Sequence, residues 1–147
     1  PVDLNELAKA VLAKAVPLSF AREADIAFEP AETSPVVNGD AVSLREAFKN
    51  VVENAIQHGA RSLLRLTVRR AGQSIEVEID DDGPGIPPEL WPQVTERFFR
   101  GRSGGTGSGL GLAIAREVAV NHGGELGFRS QEGIFSVLFT FNGAKRS

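Results

Sequence analysis

The sequence predicts an α+β domain, and three observations predict it. Apolar residues recur at helical spacing in three separate stretches, 4–15, 41–58 and 109–122. Between and after them, short stretches alternate polar with apolar residues or run apolar between turn formers, at 25–29, 62–70, 74–80, 125–128 and 134–141. Two pairs of these, 62–70 with 74–80 and 125–128 with 134–141, are joined by short turns, as hairpins are. The 147 residues are expected to form a single domain spanning 1–147. At that size folding removes about 70% of the unfolded chain's surface from water, so one core suffices.

Taken in order, Asp3-Leu4-Asn5-Glu6 reads as a helix cap with an acid three residues on, and Leu4, Leu7, Ala8, Val11, Leu12 and Ala15 share one face. Pro17 is expected to end that helix. Asp25–Glu29 is expected as a short strand closed by Pro30, and Val36 and Val37 as another. Gly39-Asp40 opens a helix from Ala41 to about His58, stopped by Gly59. Ser62–Arg70 and Ser74–Asp80 follow as strands across Ala71-Gly72-Gln73, and a single helical turn is expected around Glu89-Leu90-Trp91. From Pro92 to Ser108 no period persists, and positions 101–111 hold six glycines, the composition of a mobile binding loop or linker. Gly109-Leu110-Gly111-Leu112 opens the third helix, which ends at His122-Gly123, and two strands turning near Glu132-Gly133 close the domain.

Composition narrows the function. A net charge of −3 and a pI near 5.4 argue against a nucleic-acid partner, which calls for a basic face. Without cysteine there is no disulfide, thiolate nucleophile or Cys-ligated zinc. No apolar run approaches the ~20 residues that span a bilayer. A chain that lacks methionine and opens on a helix-start signal is expected to be a fragment of a longer protein, although initiator removal before Pro1 leaves the same trace.

Three stretches carry chemistry. Asp80-Asp81-Asp82-Gly83-Pro84-Gly85-Ile86 runs from an apolar strand into a Pro/Gly turn. Asp81 there is an acceptor for an exocyclic amine beside glycines that a flat ring can approach, while the same composition also makes an ordinary turn. On the 41–58 helix, Leu44, Phe48, Val51, Val52 and Ala55 fall on one face and Asn50, Glu53, Asn54, Gln57 and His58 on the other. A solvated face usually carries Lys, Arg and Glu, so two amides in mid-helix stand out against that simpler reading. Gly107-Ser108-Gly109-Leu110-Gly111 precedes a helix whose free N–H groups and dipole favour phosphate oxygens. Amide oxygens such as those of Asn50 and Asn54 suit Mg²⁺ when phosphates and waters complete its shell, so the three stretches together describe a metal-bound nucleoside triphosphate.

These motifs resemble those of the ATP-binding catalytic domain of bacterial two-component sensor histidine kinases, in the superfamily that includes gyrase, the heat-shock chaperone ATPases and the mismatch-repair ATPases. The N box is similar to Asn50–Ile56, the first glycine box to Asp81–Ile86, the phenylalanine box to Thr95–Arg100 and the second glycine box to Gly107–Leu112. The resemblance implies a two-layer α/β sandwich of the Bergerat type, a mixed sheet with helices on one face, and a mobile ATP lid over about 86–108. It implies ATP and Mg²⁺ as ligands, Asp81 for the adenine amino group and Asn54 for the metal, with Asn50, Glu53 and Asn54 acting in catalysis. Gln57, His58, Gly83, Gly85, Ile86, Phe98, Arg100, Gly107, Ser108, Gly109, Leu110, Gly111 and Leu112 complete the implied nucleotide site.

Gln57 stands where many relatives carry a basic residue, which shifts phosphate neutralisation toward Arg97, Arg100 or Arg102. Thr95 replaces the first aromatic of the phenylalanine box, leaving Phe98 as the expected lid anchor. Asn50 occupies the place of the glutamate that polarises water in the ATP-hydrolysing branches. An amide makes a poor base, so attack by an external nucleophile is expected. Neither His58 nor His122 resembles a phosphoacceptor motif, and His122 is expected in a helix C-terminal contact. The expected partners are therefore a helical dimerisation/phosphoacceptor domain of the same full-length protein and a downstream response regulator. The full-length protein is expected to be a membrane-anchored homodimer of the inner membrane with this part, monomeric alone, on the cytoplasmic side. A nucleotide-sensing module and a serine-directed anti-sigma-factor kinase remain as alternatives.

Overall fold

A computed structural model of the chain describes residues 1–21, 23–58, 62–94 and 111–143. The elements in chain order are β1 (Val2–Asp3), α1 (Leu4–Ala21), β2 (Asp25–Glu29), β3 (Val36–Val37), α2 (Ala41–His58), β4 (Leu63–Ala71), β5 (Ser74–Asp81), a 3₁₀ turn (Pro88–Leu90), α3 (Trp91–Val94), α4 (Gly111–Asn121), β6 (Glu125–Gln131) and β7 (Ile134–Asn142).

Five strands form one mixed sheet in the order β2-β4-β5-β7-β6, antiparallel throughout except for β2 beside β4. That parallel pair needs a crossover, and α2 lies in it. Alternation sets the two faces: Leu64, Leu66, Val68, Ile75, Val77, Ile79, Val137, Phe139 and Phe141 are buried toward one side. Helices α1, α2 and α4 lie in one layer on that side, where α2 packs against both of its neighbours and against β4 and β5. Phe48 of α2 meets Phe139 edge-on at 5.0 Å in this core. The expected two-layer architecture is the one observed.

Local chemistry accounts for the element ends. Asp3 Oδ1 accepts from the Asn5 and Glu6 amides at 2.9 and 3.4 Å, and Asp40 Oδ1 from the Val42 amide at 3.2 Å, so each carboxylate caps its helix as expected. Glu132 and Gly133 both take positive φ, 52° and 79°, the two-residue turn that suits a twisted hairpin. Two expectations are corrected. Helix α1 passes through Pro17 to Ala21, because Pro17 and Ala13, whose carbonyl loses its helical donor, are both exposed to water. Asp3, expected only as a helix cap, also forms with Val2 a short strand that pairs with Val36–Val37 as a small antiparallel sheet.

Candidate functional site

The apolar side of α2 is buried in the core, which leaves its amide face at the margin of the helix layer. Asn50, Glu53 and Asn54 are half-buried there and Gln57 is exposed. Asn50 Nδ2 is buried without a hydrogen-bond partner among the described residues. A buried donor left unmade costs about 1–3 kcal/mol, so this amide is able to donate to an acceptor brought to it. Gly111, the first residue of α4, stands against it: a Cβ added there would lie 3.8 Å from Asn50 Cβ. The structure thus brings together the N-box amide and the end of the second glycine box, 61 positions apart in sequence.

Asp81 closes β5 on the helix-facing side of the sheet, paired in register with Phe135 and Leu64. It is 4% exposed and accepts one hydrogen bond among the described residues, from the Gly83 amide at 2.9 Å. Burial pushes its pKa up to about 6, against the pull of the Gly83 N–H, and the neighbouring charges of Asp82 and Asp80 push the same way. A buried carboxylate with one hydrogen bond among the described residues has lone pairs left to accept from a donor such as an exocyclic amine.

The turn that carries Asp81 is fastened on three sides. Asp82 accepts from the Ser62 and Leu63 amides at 3.0 and 3.1 Å and from the Ser62 hydroxyl, tying the turn to the start of β4. At Gly85, φ is +69° and an added Cβ would fall 2.8 Å from the Phe135 ring, so packing against Phe135 as well as backbone conformation demands glycine. The Trp91 indole N–H donates to the Ile86 carbonyl at 2.9 Å, and the indole lies over Phe128, itself stacked on Phe135. The sequence reading missed Asp82 and Trp91; a second carboxylate beside Asp81 and the sole tryptophan were the available signals.

Of the remaining expected site residues, Ile86 packs on the edge of the core. The Leu112 side chain is 8% exposed within the core, so its backbone N–H is the group left for a ligand. His58 ends α2, and its side chain lies outside the described residues. Phe98, Arg100, Gly107, Ser108, Gly109 and Leu110 lie outside them too, as do Thr95, Arg97, Arg102 and most of the expected lid. His122 does contact the end of its helix, with Nδ1 2.8 Å from the Val118 carbonyl.

Magnesium fits this donor set. Among the described residues no group of three or more His, Asp or Glu forms a cage, so a cation beside Asn54 would draw most of its ligands from phosphates and water, as Mg²⁺ does.

Known proteins share this sequence pattern and fold. Residues 39–143 match the family described as histidine kinase-, DNA gyrase B-, and HSP90-like ATPase. A sensor-like histidine kinase, SenX3 of Mycobacterium tuberculosis, is 48% identical over 107 residues, covering 69% of this chain and 26% of its own length. The chain therefore spans about a quarter of the length of the curated relatives it matches. Among solved structures, the mycobacterial sensor histidine kinase MprB superposes with a TM-score of 0.82 at 33% identity, over 97% of both chains. Full-length ShkA, solved in complex with AMPPNP, superposes with a TM-score of 0.85 at 26% identity over 99% of this chain and 32% of its own. With the amide face, the buried acid and the glycine-fronted helix in place, this chain belongs to the histidine kinase-, DNA gyrase B-, and HSP90-like ATPase family.

Proposed function

We propose that this chain binds ATP with Mg²⁺ between α2, the Asp81 turn and the start of α4, and donates the γ-phosphoryl group to a histidine on a separate helical domain. The observation that carries the reading is the Asn50 amide, without a partner among the described residues, on a side chain whose Cβ lies close to Gly111 at the start of α4. Asp81 accepts from the adenine amino group, and Gly85 and Ile86 hold its turn in shape. Asn50 Nδ2 donates to a phosphate oxygen, next to the N-terminus of α4, where helix amides favour an anion. Asn54 offers its amide oxygen to the metal, which supplies charge neutralisation as the phosphoryl group moves.

The transfer forms an N–P bond at the acceptor imidazole and breaks the bond to the leaving ADP oxygen. Glu53, half-buried beside Asn54, receives the imidazole proton. At position 50 an amide replaces a water-polarising carboxylate, which favours transfer over hydrolysis. The acceptor belongs to a helical dimerisation domain of a longer sensor protein at a membrane, with a response regulator downstream and this part in the cytoplasm. The names of the sensor-kinase relatives support that setting. Among the described residues no helix is long and apolar enough to cross a membrane.

The test mixes this chain with labelled ATP, Mg²⁺ and helical acceptor domains. Acid-labile label on an acceptor histidine is the expected result. Acid-stable label on serine would point to an oxygen-directed kinase, and nucleotide binding without any transfer to a sensing module.

A further inference from the structure

His122 joins two helices that the proposed site depends on, and its contacts exceed what a helix end requires. Its Nε2 accepts from the Asp40 backbone N–H at 3.1 Å across 82 positions of sequence. That amide can only donate, so Nε2 is the acceptor of this bond and Nδ1–H faces the Val118 carbonyl. The ring stands edge-on to Phe141 at 6.4 Å. Gly39 leaves room for it: an added Cβ would fall 2.5 Å from the imidazole Cδ2. Asp40 is exposed, so water would serve its N–H without His122, and the bond's distinctive effect is to add a directional contact at the end of the packed α2–α4 interface.

We propose that His122 is a positioning residue for the phosphate half of the nucleotide. It fixes the register of α4 along α2 so that Gly111 stands at Asn50. The inference rests on the nucleotide reading above. The packed α2–α4 interface is marked at its two ends by Asp40 with His122 and by Asn50 with Gly111. The span from Asp40 to Asn50 is about 15 Å of helix and that from Gly111 to His122 about 16.5 Å, so the two contacts match in an antiparallel pair. A slip of one residue would carry Gly111 about 1.5 Å along α2. Displacement on that scale is enough to spoil a phosphate contact.

Titrations of Mg²⁺-ATP and of adenosine against the wild-type chain, His122→Ala, His122→Gln and Gly39→Ala test this, with a thermal midpoint recorded for each. Gly39→Ala pushes the ring aside without removing it, and the amide oxygen of His122→Gln can accept from Asp40. His122→Ala and Gly39→Ala should weaken Mg²⁺-ATP about ten-fold, that is by about 1.4 kcal/mol. Adenosine affinity should be unchanged, because the Asp81 turn is built on β5, and His122→Gln should recover most of the loss. Should His122→Ala not fold, the other two variants decide. Folded variants that bind Mg²⁺-ATP like the wild type, or that lose adenosine and ATP in proportion, would overturn the assignment. A wild-type chain that binds no Mg²⁺-ATP would instead overturn the parent reading.

Discussion

Asp80 and Asp81 are adjacent, nearly equally buried at 1% and 4% exposure, and face opposite sides of β5. On the open side of the sheet, Asp80 accepts from Ser136 Oγ at 2.6 Å and from Arg65 at 3.2 Å. Its neighbours on that face are paired as well, Arg69 with Glu76 and Glu78, and Arg129 with Glu78. On the helix side, among the described residues, Asp81 has the Gly83 amide and the Asn50 Nδ2 has no partner. Among the described residues, polar groups on one face are satisfied within the chain, and those on the other have few or no partners, as the proposed nucleotide site requires. Burial alone therefore does not mark a functional acid; burial without internal partners does.

Substitution on each face breaks or sharpens that contrast. Asp81→Asn should weaken ATP by about 1.5–3 kcal/mol, the scale of a hydrogen bond to a charged group, measured by calorimetry. The same change should raise the thermal midpoint of the nucleotide-free domain at pH 8. The folded-state pKa of Asp81 is raised above its ordinary 3.8 to about 6, so its contribution to stability is present below pH 3.8 and lost as pH rises through 6. At acid pH the midpoint gain should vanish. Asp80→Ala should do the reverse, lowering stability by about 1–3 kcal/mol in denaturant titrations while leaving ATP affinity unchanged, because it strands Ser136 and Arg65.

Asn54→Ala should weaken ATP more with Mg²⁺ present than with the metal chelated, and equal losses would remove Asn54 as a ligand. The smallest effect is that of pH. Below about 6 the free Asp81 takes up a proton, so ATP affinity should fall about four-fold between pH 8 and 5.5, and Asp81→Asn should flatten that dependence.

The site was legible in the sequence where a residue type and its spacing are themselves the requirement. Asn50 and Asn54 stood out because amides are poor mid-helix residues, and Asp81 because it ends an apolar strand before glycines. The strands were legible from alternation, since one face had to be buried. What did not show were contacts between distant residues. Asp82 with Ser62, Gly85 with Phe135 and Asp40 with His122 exist only after the sheet has formed. The parallel placement of β2 beside β4 has no local signature either. Pro17 misled because a proline penalty assumes a carbonyl that nothing else can serve, whereas Ala13 is open to water.

Calorimetric titration of Mg²⁺-ATP into the wild-type domain, Asp80→Asn and Asp81→Asn in parallel tests the central claim most directly. The account predicts saturable one-to-one binding by the wild type and Asp80→Asn, with a large loss for Asp81→Asn alone. No heat from the folded wild type at millimolar nucleotide, or equal affinity in all three, would contradict it.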